Sequence, residues 1–401
     1  MYKNNIKKIL ISSFLATSLC ASSVSISTDN TGDFLIAPIY MAKGDICSEV
    51  KVMNTNEYSS ILAKIAIREK IASHEVDLPI LLSPGDVWSG MICQNKEGRV
   101  ILQSDDDSNY PDAKEILHNG IDLLEHGIIT SYRENDYNKG YVELNGKGFE
   151  LEEIQKTNLD FTNGYIEIYP IAQYDEGTKQ KVSKELLALR WNRLIDSDTS
   201  DKKLRKYGVD ENSLSGVVSF RTKGQETSSM EMTAFKNTHS SQVLGEHINF
   251  TSDSNPDILI GKDSKIEILK LLQSRDLYFS YDNQGIDQYL YLTFPFGYKE
   301  KQSRRFKLVV RNMQEERSVS VFSPRFIMRN EQASVSIESL ISQTNNNAKF
   351  TKGMIKIEDI RNNDKSQLGK NKIASILPVK ARISKIGSKD ILIDSRKIPL
   401  K

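Results

Sequence analysis

Apolar and polar residues alternate along much of the chain, and this alternation predicts β-strands. Val50 and Val52 flank the charged Lys51, and in the next run Lys64 and Arg68 alternate with isoleucines. A period of two gives a strand one buried side and one solvent-facing side, so both runs are predicted to be half-buried strands. Further predicted strands are Leu78–Leu82, Val87–Gln94, Tyr165–Tyr169, Val217–Arg221, Met230–Phe235, Tyr289–Phe294, Lys307–Val310, Ser318–Phe322, Met354–Ile357 and Ile391–Ile393.

Helical spacing is less common in this sequence. In Thr178–Ile195, leucines and Trp191 recur three and four residues apart, which predicts a helix that ends in the polar run Asp196–Lys203. Ser264–Glu267 has the spacing of a capping box and predicts a second, shorter helix. The chain is therefore predicted to be mainly β.

The first strands follow one another in a familiar order. The strand EVKVMN, a polar turn, the strand SSILAKIAIRE and the segment PILLSPGDVWSG with its Pro-Gly turn occur in succession. Over roughly residues 34–95 this order resembles the Ig-like β-sandwich modules of secreted bacterial proteins. The resemblance implies a sandwich fold and an exported protein, and it assigns no catalytic residue.

A short internal echo indicates that the chain has two related halves. The string FTNGYIEI at residues 161–168 returns as FTKGMIKI at residues 350–357, either through duplication or by chance. A chain of 401 residues is long enough for two domains. We predict two Ig-like β-sandwich domains joined by a helical connector. The predicted limits are a signal peptide at 1–23, a first domain at 24–175, the connector at 176–206, a second domain at 207–365 and a basic C-terminal β-segment at 366–401.

The N-terminal residues have the pattern of a signal peptide. A basic start is followed by the apolar stretch Ile9–Leu19, which is much shorter than the roughly 20 residues of a membrane-spanning helix. The small residues Ala21 and Ser23 then suit cleavage by signal peptidase. A buried N-terminal helix is the alternative interpretation. We expect an exported protein, periplasmic or extracellular at the cell surface, with no transmembrane segment after signal removal.

Removal of the signal would leave two of the three cysteines, Cys47 and Cys93. In an oxidising compartment, such a pair is predicted to form a disulfide. Closing a loop of this length stabilises a chain by about 4 kcal/mol in the chain-entropy model. Two separate buried thiols are the alternative.

The net charge of +1 hides an asymmetry. Residues 301–401 contain 22 Lys and Arg against 9 Asp and Glu, whereas the preceding body is acidic. This division favours self-association between the acidic body and the basic C-terminal end, packing of that end within one molecule, or contact with an anionic surface such as an envelope polysaccharide. Two solvated faces are the alternative.

The sequence lacks the motifs of familiar catalytic and metal sites. The five histidines show none of the three- or four-residue spacings that place two ligands on one helix face. The segment Asp105–Asn109 begins like a calcium loop, but Tyr110 replaces the glycine of the sharp turn. We predict no metal, no cofactor and no enzymatic activity, with a secreted hydrolase as the remote alternative.

Binding has a better candidate in the aromatic segment around residues 278–298. Tyr289 and Tyr291 share one face of a predicted strand, and Leu290 and Leu292 share the other face. The tyrosines form either a core or an exposed ligand-binding strip.

Basic Arg304 and Arg305 follow the aromatic segment and suit an acidic glycan. The sequence therefore predicts an exported, non-enzymatic envelope or surface protein with a structural or interaction role. The alternative is a module that uses the aromatic strip to bind an envelope glycan or another surface protein. Nucleic acid is not an expected partner.

Overall fold

The computed structural model describes residues 23–70, 73, 75–123, 160–195, 204–206, 212–238, 254–273, 276–282, 287–296, 304–313, 317–321, 332–342, 352–362, 374–386 and 389–397. Most of these residues lie in strands, so the prediction of a mainly β protein is confirmed. The predicted signal peptide lies outside the described residues, except for Ser23.

The described elements agree well with the predicted strands and helices. The strands are β1 (Ser25–Ile26), β2 (Phe34–Met41), β3 (Ile46–Asn54), β4 (Ser59–Glu69), β5 (Glu75–Leu82), β6 (Val87–Gln94), β7 (Val100–Gln103), β8 (Ile121–Asp122), β9 (Asn163–Asp175), β10 (Leu204–Lys206), β11 (Leu214–Thr222), β12 (Gln225–Glu231), β13 (Thr233–Lys236), β14 (Asp276–Asp282), β15 (Asp287–Thr293), β16 (Arg304–Asn312), β17 (Arg317–Val321), β18 (Gln332–Ser336), β19 (Lys352–Asn362), β20 (Leu377–Ile386) and β21 (Lys389–Lys397). The α-helices are α1 (Lys114–Asn119), α2 (Lys184–Ile195), α3 (Lys262–Leu271) and α4 (Ile337–Ser342), with a 3-10 turn at Pro111–Ala113 before α1 and a π-helical turn at Asp257–Gly261 before α3.

In the described part of the chain, the strands form four antiparallel sheets. Sheet 1 has the order β1-β13-β2-β9-β4-β5, with β10 also paired to β9, and sheet 2 has the order β12-β11-β3-β6-β7-β8. Sheet 3 has the order β14-β19-β16-β17, and sheet 4 has the order β18-β15-β20-β21.

Two sets of eight strands have the same order along the chain and within the sheets. In sheet 1 the run β2-β9-β4-β5 corresponds to β14-β19-β16-β17 of sheet 3, strand for strand. In sheet 2 the run β12-β11-β3-β6 corresponds to β21-β20-β15-β18 of sheet 4. β11 and β12, which the predicted limits assign to the second domain, pair with each other and β11 pairs with β3.

The strands of sheet 1 differ from the predicted half-buried pattern. β3 of sheet 2 alternates buried and more exposed residues, as predicted. In β4 of sheet 1, by contrast, all eleven residues are buried, including Lys64 and Arg68. The prediction that these two side chains lie on a wet face is therefore wrong. Sheet 1 shares a hydrophobic core with sheet 2, to which residues from both faces of sheet 1 belong. This first core also includes the π-helical turn, α3 and part of sheet 4.

Sheet 4 contributes to two hydrophobic cores. Tyr291 and Val379 belong to the first core, whereas Leu290 and Leu292 belong to a second core with sheet 3 and α4. Since successive side chains of a strand point to opposite faces, sheet 4 lies between the two cores.

The predicted helix in Thr178–Ile195 is present as α2, and its apolar side packs into the first core through Leu187, Trp191 and Leu194. Its first residue, Lys184, is buried and donates from Nζ to the Leu81 carbonyl at 2.8 Å. α2 thus lies firmly on β4 and β5.

Candidate functional site

A cleft of about 350 Å³ lies where the first residues of β9 and the β2–β3 turn meet β15 of sheet 4. Aromatic, aliphatic and charged side chains line it. The lining residues are Met41, Lys43, Ile46, Lys70, Asp160, Thr162, Asn163, Tyr289, Tyr291, Ser334 and Ile383. This volume lies within the range of about 300–1,000 Å³ that small-ligand sites have.

The two predicted tyrosines lie side by side along this cleft. The ring centroids of Tyr289 and Tyr291 are 6.4 Å apart, and the ring planes are inclined at 41°. Tyr291 is 7% exposed and belongs to the first core, whereas Tyr289 is half-buried and packs against that core. The strip therefore has one tyrosine fixed by packing and one that presents more of its ring to the cleft.

An ion pair between Lys70 and Asp160 lies in the wall of the cleft. The Thr162 hydroxyl and backbone N–H both donate to Asp160 Oδ1, the latter at 2.9 Å. Burial disfavours the charged carboxylate, but the hydrogen bonds from Lys70 and Thr162 outweigh it and lower the pKa of Asp160. The cleft thus holds a fixed negative charge next to a lysine ammonium.

Tyr40 lies behind this wall with its side chain completely buried. Within the described part of the chain, its hydroxyl has no hydrogen-bond partner. Desolvation, together with the nearby carboxylates of Glu69 and Asp160, raises the pKa of Tyr40, so the phenol stays neutral.

Gln332, the first residue of β18, joins the two sides of the cleft. Its side-chain Nε2 donates to the carbonyls of Pro38 at 2.9 Å and Gly164 at 2.8 Å. The Oε1 atom of Gln332 accepts from Asn163 Nδ2 at 2.7 Å. The backbone N–H of Gln332 donates to the Lys70 carbonyl at 3.1 Å. The Pro38 carbonyl is accessible because the pairing of β2 with β9 shifts register between residues 37 and 40.

The predicted disulfide between Cys47 and Cys93 is present, with its Cα atoms 4.5 Å apart. It lies next to the tight turn that carries Lys43 and Ile46 to the rim of the cleft, and the backbones of these two residues exchange hydrogen bonds of 3.1 Å. Gly44 occupies the turn with a φ of 61°, a conformation that glycine adopts without steric cost. The bridge thus anchors one rim of the cleft.

The predicted arginines lie on another sheet. Arg304 and Arg305 begin β16 of sheet 3, whereas the tyrosines are on β15 of sheet 4. Their side chains lie outside the described ones, so their part in binding stays a prediction. Lys307 on the same strand pairs with Glu358 at 2.9 Å.

The sequence did not single out the polar cleft residues Lys43, Lys70, Asp160, Asn163 and Ser334. A signal for one of them existed, since Asn163 is in the string FTNGYIEI that recurs in the second half. The others are single polar residues in turns, at strand ends or, for Ser334, within a strand, and they have no distinguishing spacing.

The acidic segment Asp105–Asn109 is engaged in protein contacts. Asp106 accepts from the Ser89 and Ser108 backbone N–H groups at 2.9 Å, and Asp105 is 2.5 Å from His118 Nδ1. In the part of the chain that the structure describes, no group of three His, Cys, Asp or Glu side chains is arranged to hold a metal ion.

No family model, curated protein or solved structure matches this chain. Among the helices within the described ranges, none has both the length and the apolar character needed to cross a membrane. The cleft geometry is therefore the main basis for a functional proposal.

Proposed function

We propose that this chain is an exported, non-enzymatic envelope or surface protein, periplasmic or extracellular, with a structural or interaction role. Two observations support export: the N-terminal pattern of a signal peptide and the Cys47–Cys93 disulfide. Disulfides persist mainly in oxidising compartments outside the cytoplasm.

We further propose that each of the eight-strand sets is an Ig-like β-sandwich unit, with α2 in the long connection within the first set. The equal strand order of the two sets supports this assignment. So does the presence of two hydrophobic cores, one for sheets 1 and 2 and one for sheets 3 and 4.

The observation that favours an interaction role is the cleft beside Tyr289 and Tyr291. A concave site with aromatic rings and a few polar groups suits a ligand that has an apolar face and a hydroxyl-rich edge. A saccharide has this chemistry. We therefore propose an envelope glycan as the ligand, with Tyr289 stacking against a sugar ring.

The cleft has charged side chains of both signs, which suits a glycan that carries charged groups beside its hydroxyls. Two lysines, Lys43 and Lys70, line it together with a single carboxylate among the described lining residues, that of Asp160. Complementary charge raises association rates and suppresses wrong partners. Another surface protein is the second candidate partner.

A glycan array followed by titration of the best ligand tests this proposal. Tyr289→Ala should weaken binding at least about tenfold, because aromatic anchors contribute more than about 1.4 kcal/mol. Tyr278→Ala is the matched control, since Tyr278 is 38% exposed on β14 of sheet 3, and it should leave affinity unchanged.

Three other outcomes would change the proposal. Absence of binding to every glycan by the folded protein would leave only the structural or protein-binding role. An equal loss of affinity in Tyr289→Ala and Tyr278→Ala would show that the cleft is not the binding site. Hydrolysis of a bound glycan would favour the secreted hydrolase instead.

A further inference from the structure

The first described residues are docked onto the body of the protein. Val24 is 5% exposed and belongs to the first core. β1 follows immediately and pairs with β13, with Ser25 opposite Lys236 and Ile26 opposite Phe235. The Ser27 N–H then donates to the Ala234 carbonyl at 2.8 Å. The position of Val24 is therefore fixed by side-chain packing and by backbone pairing.

The backbone nitrogen of Val24 points at a carboxylate. It lies 3.0 Å from Oε2 of Glu267, which is half-buried on α3. α3 is held in place because Ile268 and Leu269, the next residues, are in the first core. Residue 24 and residue 267 are far apart in the sequence, so this contact joins the start of the described chain to a distant helix.

We propose that export processing cleaves the Ser23–Val24 bond and that the new α-ammonium group of Val24 forms an ion pair with Glu267. The inference rests on the proposed export and on the predicted signal peptide at 1–23, and it adds the role of the new terminus. Ala21 and Ser23 are the small residues that suit the peptidase. Ser23 itself is exposed, whereas Val24 is buried, so the cut falls where the chain enters the folded body.

Cleavage changes the chemical group that contacts Glu267. A protease of the signal-peptidase class adds water across the peptide bond, so the Ser23 carbonyl carbon becomes a carboxylate and the Val24 nitrogen leaves as an amine. That amine takes up a proton at neutral pH, since α-amino groups have a pKa of about 7.7–8.0. The nitrogen that donated as a neutral amide thereby becomes a cation at the same place.

The new charge should strengthen the contact. In the uncut chain the bond already has an ionised acceptor, the Glu267 carboxylate. Protonation of the new amine adds the Coulomb attraction between two opposite charges at hydrogen-bond distance. The cut also removes one weak contact, because the Ser23 carbonyl accepts from Asn237 Nδ2 at 3.3 Å in an exposed position. The gain from the ion pair should exceed the loss of the Ser23–Asn237 contact. The processed chain, in which the new N-terminus fixes α3 to β1, should therefore be the more stable one.

Thermal unfolding of two purified chains tests the ion pair. One begins at Val24, released from a fusion that leaves no extra residue, and the other retains Ser22 and Ser23. The chain that begins at Val24 should have a Tm higher by about 1–3 °C. Glu267→Gln should abolish this difference, whereas Glu338→Gln, at an exposed position on α4, should preserve it.

Amine reactivity gives a second measurement that does not depend on a variant. In the folded chain that begins at Val24, acylation of the α-amine should be at least tenfold slower than in denaturant. A rate equal to that of the unfolded chain would overturn the ion pair, as would a Tm difference that survives Glu267→Gln.

The mass of the mature protein from cells separates this inference from the proposed function. A terminus at Val24 supports both. Exported protein with another terminus would overturn the cut at Ser23 and leave the export proposal standing. Protein retained in the cytoplasm with residues 1–23 intact would overturn the export proposal and the cut together.

Discussion

At the scale of single residues, the most unusual feature is a cluster of buried charges on sheet 1. Lys64 Nζ is 2.9 Å from Asp77 Oδ2, and Arg68 contacts Glu75 at 2.6 Å and Glu167 at 2.5 Å. All five side chains are at most 8% exposed. Isolated charges at this depth would destabilise the fold strongly, so the pairs are required for these residues to be buried at all.

Ser254 covers the cluster from the segment before α3. It accepts from Arg68 Nη2 through its carbonyl at 2.8 Å, and its hydroxyl donates to Asp77 at 2.8 Å. Its backbone N–H also donates to Glu75. Desolvation raises the pKa of Asp77, and the nearby Lys64 ammonium limits this rise. The cluster thus joins the π-helical turn and α3 to sheet 1.

We predict that Arg68→Met destabilises the protein by about 3–5 kcal/mol, because it leaves two buried carboxylates without their cation. The matched control is Arg221→Met. Arg221 also pairs with a glutamate, Glu49, at 2.6 Å, but it is 31% exposed, so the expected loss is about 0–1 kcal/mol. Urea unfolding followed by tryptophan fluorescence measures both, and equal losses would contradict the prediction.

The sequence could not reveal this cluster. Lys64 and Arg68 alternate with apolar residues as solvent-facing residues do, and their acidic partners come from β5 and β9, up to about a hundred residues away. By contrast, the alternation of Tyr289 and Tyr291 with leucines correctly separated two faces. A strand pattern reports which residues share a face, and it does not report what covers that face.

At the scale of elements, the repeated string FTNGYIEI and FTKGMIKI occupies equivalent strands. β9 lies between β2 and β4, and β19 lies between β14 and β16. A Cβ atom on Gly164 would lie 1.9 Å from the Arg68 carbonyl oxygen, and one on Gly353 would lie 1.9 Å from that of Arg311. The glycine recurs because both strands approach a neighbouring backbone at the same point, which favours duplication over chance.

We predict that Gly164→Ala and Gly353→Ala each destabilise the protein by more than 3 kcal/mol, since the backbone of the neighbouring strand must shift. Gly44→Ala is the control, because a Cβ there has no atom within 4 Å and only the φ of 61° opposes it, at about 1–2 kcal/mol. Chemical denaturation compares the three. A loss at Gly164 or Gly353 no larger than at Gly44 would refute the close approach.

β2 is a strand that the alternation of apolar and polar residues does not predict. Its sequence FLIAPIYM has no polar residue to mark a wet face, and all eight residues are buried. It also contains Pro38, which usually argues against an interior strand. The register shift opposite β9 accommodates that proline. The sequence alone does not reveal this bulge, and without the bulge Pro38 argues against a strand here.

At the scale of the whole molecule, the sequence predicted a mainly β protein, and it placed Tyr289 and Tyr291, which line the cleft, on one face of a strand. The tyrosines were predicted because they alternate on one strand, whereas Lys70 and Asp160 were not, because they reach the cleft from the ends of other elements. Sheet 2 continues from β3 into β11 and β12, across the polar stretch where a domain boundary was predicted. Polar composition marks a loop, and it does not show which strands that loop joins.

Gln332 is the clearest contact between the two eight-strand sets. Its side chain meets the carbonyls of Pro38 and Gly164, and Thr293 Oγ1 also donates to Pro38 at 2.5 Å. Ser228 and Ser395 make a second contact, with their hydroxyl oxygens 2.9 Å apart. Because these bonds are buried or partly buried and join distant segments, the sets should resist separation.

We predict that Gln332→Ala destabilises the protein by about 2–4 kcal/mol, because it removes the hydrogen bonds from the Gln332 amide to the buried Pro38 and Gly164 carbonyls and the one from Asn163 to Gln332. It should also weaken ligand binding, since Tyr289 and Lys70 belong to opposite sides of the joint that Gln332 closes. Gln225→Ala is the control, at an exposed position on β12, with an expected change within about 0.5 kcal/mol. Differential scanning calorimetry measures stability, and titration with the glycan measures binding. If Gln332→Ala and Gln225→Ala unfold at the same temperature, the hydrogen bonds of Gln332 contribute nothing to the union of the two sets.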